Sequence, residues 1–271
     1  MSNFFHCHTI CERCGSHRFW YTSRGTRKCR SCHRERVVRA PYPIHGFRLS
    51  RTAWFQAIEA FLTRETVRSV EERCRCSHQT ATNVVAVIRE TMTRDIPALF
   101  SGTYEADETY VGGQWKNKAV HIRRQGTKRG RGTSKQAVFG IACRERGMVC
   151  VWLVPNAKHA SLIPIIRDTV VPGSSIFTDG LGTYRALPRY GYHHDWVDHD
   201  AGEYVRGDVH TQTIDGFWGV LKNRLAATGG IRKAYLPRFV GEHVWRYNHR
   251  TLSLKTKVRW LYRQVKISGR S

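Results

Sequence analysis

Acidic side chains are scarce in this sequence. Only 21 Asp and Glu stand against 45 Lys and Arg, giving a formal net charge of +24 and a pI near 10.2 over 271 residues. The excess is spread along the whole chain from Arg13 to Arg270, so it is not a basic tail. A charge of this size favours a polyanionic partner, because Lys and Arg placed on phosphates release condensed counterions. Nucleic acid is the first such partner and an acidic membrane surface the competing one. Long apolar runs are also missing: no stretch reaches the ~18–20 residues that span a bilayer. Met1–Thr9 lacks the charged-then-apolar order of a signal peptide. These absences lead us to expect a soluble, intracellular, nucleic-acid-binding protein with no membrane partner. A hydrophobic content of 41% excludes a disordered chain.

The nine cysteines are odd in number, and disulfides are disfavoured in a reducing compartment, so metal binding or burial must account for most of them. Cys11–Cys14 and Cys29–Cys32 form two C-x2-C knuckles fourteen residues apart. Four thiolates so spaced can close one tetrahedral, structural zinc site, with Cys7, His8 and His33 near enough to compete as ligands. The β-prone Phe19–Thr22 between the knuckles completes the pattern of a zinc ribbon over residues 1–40. Such a module has almost no core, so the metal would supply its folding energy.

The proline-marked segment Ala40–Pro43 leads into a helical module over 41–98. Trp54, Ile58, Phe61 and Leu62 recur at helical spacing, Val67 and Val70 suggest a second short helix, and Ser77 caps a third striped by Ala81, Val84, Val85 and Ile88. Three helices with a short turn before the last fit a helix-turn-helix, in which Gln79, Thr80 and Asn83 meet base edges, or equally an ordinary helical linker. Cys74 and Cys76 are read as structural.

From residue 99 the pattern turns to α/β. Thr103–Val111, Gln136–Ala142 and Met148–Val154 read as strands, the last two joined by a hairpin at Arg144–Gly147. His159–Val170 is a helix, Ser174–Thr178 a short strand, and Thr211–Leu225 and Tyr235–Tyr247 are helices. This order predicts a mixed sheet flanked by helices. The histidines His193, His194 and His199 lack ligand spacing and are assigned to surface or packing roles. The last segment, Lys255–Arg270, reads only as basic, and the whole span 99–271 is taken as one catalytic domain with C-terminal helices.

Because acids are few, their positions carry weight. Asp107 lies inside a strand, where a charge is costly unless it faces solvent or a cation. Asp179 follows a strand end, the place where α/β sheets build sites. Asp215 lies on a helix, with Lys222 two turns later on the same face. Two strand-borne aspartates and a helix-borne carboxylate can converge on two divalent ions, magnesium or manganese, as phosphodiester cleavage and transfer require. Glu105 shares the Asp107 strand face and is a rival, whereas Glu108 points to the other face. The basic loop carrying Lys116, Lys118, Lys128, Arg129, Arg131 and Lys135 is placed to clamp phosphates, as is Lys222.

Ala106–Gly113, Lys116–Lys118, Gly130–Thr133, Ala137–Gly140, Thr178–Gly180, His210–Trp218, Leu221–Lys222 and Arg246–Arg250, in that order behind the paired knuckles, resemble insertion-sequence DDE-type transposases of the group related to eukaryotic Merlin transposons. The resemblance spans nearly the whole chain. It implies a ribonuclease H-like catalytic domain whose acidic triad of Asp107, Asp179 and Asp215 uses magnesium. It also implies double-stranded DNA partners (terminal inverted repeats and target), a short target duplication, and action as a homodimer or larger oligomer on paired ends. The family pattern has glutamate with asparagine three residues earlier, where this sequence has Asp215 and Gln212. A zinc-ribbon regulator, an inactive domesticated copy and a two-metal nuclease without joining activity are the alternatives, and flanking inverted repeats would discriminate between them.

Overall fold

The computed structural model describes residues 13–14, 16, 19–21, 26–37, 47, 49–95, 101–112, 120–124, 135–199 and 201–268. The chain divides into two compact units, Met1–Asp95 with Thr251–Ser271, and Ile96–Arg250.

The first unit contains a small antiparallel sheet, β1 (Phe19–Tyr21), β2 (Thr26–Cys29) and β3 (Glu35–Val37), in that order. Three helices follow: α1 (Arg51–Leu62), α2 (Val67–Cys74) and α3 (His78–Thr93). Each begins at a hydroxyl cap. Ser50, Thr66 and Ser77 accept from the backbone N–H three residues on, at 3.1, 3.2 and 3.2 Å, an interaction worth about 1 kcal/mol per helix. The stripes expected from periodicity are buried: Trp54, Ile58 and Phe61 on α1, and Ala81, Val84, Val85 and Ile88 on α3. Arg75 closes α2 in the left-handed region at φ 48°, which turns the chain sharply into α3. The segment read only as basic forms a helix, α8 (Leu254–Ser268). It packs on α1 and α3, within the first unit, because Val258, Leu261 and Val265 make an apolar stripe among its charges.

The second unit is a mixed α/β structure around a five-stranded sheet of order β6-β5-β4-β7-β8. The strands are β4 (Thr103–Val111), β5 (Gln136–Cys143), β6 (Met148–Val154), β7 (Ser175–Asp179) and β8 (His193–Val197). β4, β5 and β6 pair antiparallel, while β7 and β8 run parallel to β4. A one-turn helix, α4 (Val120–Arg124), lies between β4 and β5 in sequence, and α5 (His159–Thr169) between β6 and β7. One sheet face carries α6 (Gln212–Ala227) and α7 (Leu236–Asn248), with Val138, Ala142, Val149 and Val151 against Ile214, Phe217, Trp218, Leu221 and Val240. The other carries α5 and a 3-10 helix (Gly182–Tyr190), with Tyr104, Ala106, Phe139 and Ile141 against Leu162, Ile166, Tyr184 and Leu187. Burying one such large apolar side chain contributes about 1.5–3 kcal/mol. The aromatic stretch after Asp179 thus supplies both the 3-10 helix and an edge strand.

Candidate functional site

Strand register builds the site. β7 runs parallel to β4 with Ala106 opposite Thr178, so the next residues along, Asp107 and Asp179, lie side by side where β7 ends. The carboxylates of Asp107, Asp179 and Glu108 lie within 4.8 Å of one another, a group able to hold a metal ion. Glu108 leaves β4 on the face opposite Asp107, as strand alternation requires, and its carboxylate accepts from the Tyr184 hydroxyl at 2.9 Å. It still reaches the cluster because β7 stops at Asp179, leaving that flank of β4 without a neighbouring strand. Strand alternation alone points Glu108 away from Asp107, and the sequence signals it only by its position directly after Asp107.

Asp215 lies in the first turn of α6, exposed, and its carboxylate accepts from Thr211 Oγ1 at 2.8 Å. It stands outside the 4.8 Å group but close enough to act on it. Burial, then Glu108, Asp179 and Asp215 in turn, push the Asp107 carboxyl well above its ordinary value, against an opposing hydrogen bond from Trp218. That bond runs from the indole Nε1 to Asp107 Oδ2 at 2.8 Å. Burial and then Glu108 hold the Tyr184 hydroxyl well above its ordinary value, so it remains a donor. Four acids crowded together with a fully buried tyrosine are an arrangement that a cation or a shared proton relieves. Asp179 is braced by its own turn, accepting from Leu181 N at 3.1 Å.

Glu105, the rival carboxylate, has a different task. It is fully buried and accepts from Thr213 N, Ile214 N, Thr213 Oγ1 and Arg144 Nε at 2.7–3.0 Å. It therefore caps the N-terminus of α6 from outside that helix and fixes the segment that presents Asp215. Arg144 also bonds Asp208 O and His210 O at 2.6 and 2.7 Å, tying in the preceding loop.

Of the phosphate-contact candidates, Lys135 is exposed at the start of β5, packed beside Gly112, and Lys222 is exposed on α6. Lys116, Lys118, Lys128, Arg129 and Arg131 lie outside the described residues, as does Cys11. On α3, Gln79 donates to Asn83 at 3.0 Å on the outer face, while the Thr80 hydroxyl pairs with Ser77 at 2.9 Å. Cys14, Cys29 and Cys32 place their sulfurs within 4.8 Å of one another, and Ser31 N donates to Cys29 Sγ at 3.4 Å.

The model of the ISXO2-like transposase domain matches residues 99–248, the stretch that holds the five-stranded sheet, α6 and α7. The chain belongs to this transposase family. An uncharacterized transposase-like protein of Haemophilus influenzae is 30% identical over 114 residues, 42% of this chain and 90% of that protein. An uncharacterized protein in transposable element ISH50 of Halobacterium salinarum is 26% identical over 220 residues, 78% of this chain and 74% of that one. No helix among the described residues of this transposase is long and apolar enough to cross a membrane.

The histidine-rich stretch of the transposase domain packs: His194 Nε2 meets the Thr178 hydroxyl at 3.0 Å and its ring stacks on Trp196, while His199 lies tilted against Tyr204 with ring centroids 5.0 Å apart. Among the described residues these histidines join no group that could hold a metal. Burial lowers the His194 titration, with Asp195 opposing. A base whose folded value is depressed costs stability only when the unfolded chain takes up its proton first. Stability should therefore fall as pH drops through the ordinary histidine value toward the lower folded one. Thermal unfolding at pH 7 and 5 should show His194→Gln losing about 1–3 °C less than wild type. An equal loss would refute the assignment.

Proposed function

We propose that this protein is a DNA transposase that binds the terminal inverted repeats of its element, cleaves there and joins the freed end to target DNA. The observation that carries this reading is the meeting of Asp107, Asp179 and Glu108 on β4 where β7 ends, with Asp215 near enough to act on Asp107, in a domain of transposase sequence. The sheet order and strand directions support a ribonuclease H-like core for the segment from about residue 99.

Hard carboxylate oxygens so closely grouped suit magnesium or manganese. Asp107 and Asp179 would hold the ions, two in number, with Asp215 as third ligand. When bound, the ions lower the cost of the attacking and leaving oxygens of an in-line displacement. The residues of the chain do the rest. Trp218 and Tyr184 fix the carboxylates, the Glu105 cap fixes α6, and Lys222 and Lys135 meet phosphates, together with Lys116, Lys118, Lys128, Arg129 and Arg131. Water first breaks a P–O bond at the element end and leaves a 3′-hydroxyl. That hydroxyl then forms a P–O bond at the target as another breaks, so the transfer conserves the number of phosphodiesters, the hydrolysis before it consumes one, and neither step needs an outside energy source. We assign end recognition to a zinc ribbon at residues 1–40 and to a helix-turn-helix at 41–98 reading bases with Gln79, Thr80 and Asn83. The protein would act inside the cell as a homodimer or larger oligomer on paired DNA ends.

Strand transfer in Mg2+, on an oligonucleotide carrying the native element end, tests the reading. Joined product from wild type and none from Asp179→Ala is the expected result. Cleavage without joining would make the protein a nuclease, and binding with neither reaction a regulator or inactive copy.

The zinc assignment has its own test. Cys14 and Cys29 sulfurs stand 3.5 Å apart, close to the roughly 3.8 Å edge of a tetrahedral thiolate site. With Cys11 as the fourth ligand, one zinc per chain is expected by elemental analysis. Cys29→Ser should lower zinc content below about half and weaken end binding at least tenfold, since metal affinity supplies the folding energy of so small a module. Full zinc content in the variant would refute it.

A further inference from the structure

Asp107 is held by more than its own strand. Its cross-strand partner on β5 is Gly140, and the space above that glycine is filled by an indole. A Cβ built on Gly140 would stand 2.7 Å from two ring carbons of Trp218 and 2.8 Å from Ile214 Cδ1. The ring is buried on α6 beside Phe217, and cannot withdraw from such a contact as a flexible side-chain end could. From this seat its N–H reaches Asp107 Oδ2 at 2.8 Å. This donor fixes the orientation of a carboxylate that also belongs to the cluster with Asp179 and Glu108. The same indole lies one turn beyond Asp215, so it links the strand-borne acids to the helix-borne one.

We propose that Trp218 and Gly140 are positioning residues for the metal centre: Trp218 holds the Asp107 carboxylate in its ligating orientation, and Gly140 is glycine because any side chain there would displace the indole. The proposal rests on the reading of Asp107 and Asp179 as metal ligands. Hydrogen bonds that orient ligating carboxylates typically alter metal affinity 10–100-fold when removed.

Mn2+ titration of the full-length protein, followed by the electron paramagnetic resonance of the free ion, gives a readout independent of catalysis. Trp218→Phe and Gly140→Ala are each expected to weaken Mn2+ binding about 10–100-fold and to raise the Mg2+ needed for half-maximal strand transfer to the same degree. Because Gly140 acts through the indole, Gly140→Ala should add no further loss of affinity in the Trp218→Phe background, a non-additivity that two separate packing defects would not give. Should Trp218→Phe fail to fold, Gly140→Ala, which keeps the indole, carries the test alone. Wild-type Mn2+ affinity in either variant, or full additivity in the double variant, overturns the proposal. If in that case Asp179→Ala still abolishes binding, the metal-centre reading stands without it. Undiminished binding in Asp179→Ala would remove both.

Discussion

Asp107→Asn is expected to lower strand cleavage and transfer by at least about a thousandfold, roughly 4 kcal/mol of lost transition-state stabilisation, while raising the melting temperature of the metal-free protein by a few degrees. The two effects share a cause. Asp107 is destabilised by burial and by Glu108, Asp179 and Asp215. Asparagine keeps an oxygen for the Trp218 N–H and has nearly the same shape, but it removes the charge at the centre of that repulsion. The strain that makes the site receptive to cations is thus a stability debt in their absence, as active-site groups commonly are. Added Mg2+ should raise the melting temperature of wild type by mass action and leave Asp107→Asn nearly unmoved. Thermal scans with and without Mg2+, beside the strand-transfer assay, check all three statements. A variant that loses activity, loses stability and still responds to Mg2+ would show that Asp107 is a structural acid.

Glu105→Ala has the opposite profile. The carboxylate has no solvent exposure and answers two N–H groups of the first turn of α6, the Thr213 hydroxyl and the Arg144 guanidinium. Removing it takes the carboxylate from Nε of Arg144, a side chain only 19% exposed, and leaves helix donors that no water reaches easily. Breaking such a pair costs about 3–5 kcal/mol, a fall in melting temperature of roughly 6–20 °C for a unit of this size. Glu105→Gln, which keeps an acceptor oxygen, should lose less than half of that. Activity should fall with stability, since Asp215 and Trp218 both ride on α6. A drop below about 1 kcal/mol by denaturant unfolding would mean that solvent already satisfies these donors, against the burial described above.

Much of the architecture was legible because it is written locally. Hydroxyl caps at Ser77 and its counterparts, the apolar stripes of α1, α3, α6 and α7, and the β-rich runs of β4, β5 and β6 announce themselves within a few residues, since hydrogen bonding and periodicity act over one or two turns. Strand β8 did not. His193–Val197 has a strand-like exterior only because β7 lies beside it in parallel, and that pairing closes over a non-local distance. The segment of α8 reads only as basic, and nothing local says that its Val258, Leu261 and Val265 pack with α1 and α3.

The site divides in the same way. Sequence alone determined that a basic chain with few acids places Asp107 and Asp179 at strand positions and Asp215 on a helix, because residue type and strand or helix context are local properties. Tertiary structure alone decided what those acids meet. It decided that Glu108 reaches the cluster from the opposite face where β7 ends, that Glu105 leaves the chemistry to cap α6, and that an indole set over Gly140 holds Asp107. Strand register and helix docking fix these distances, and both are set by the packing of the whole sheet.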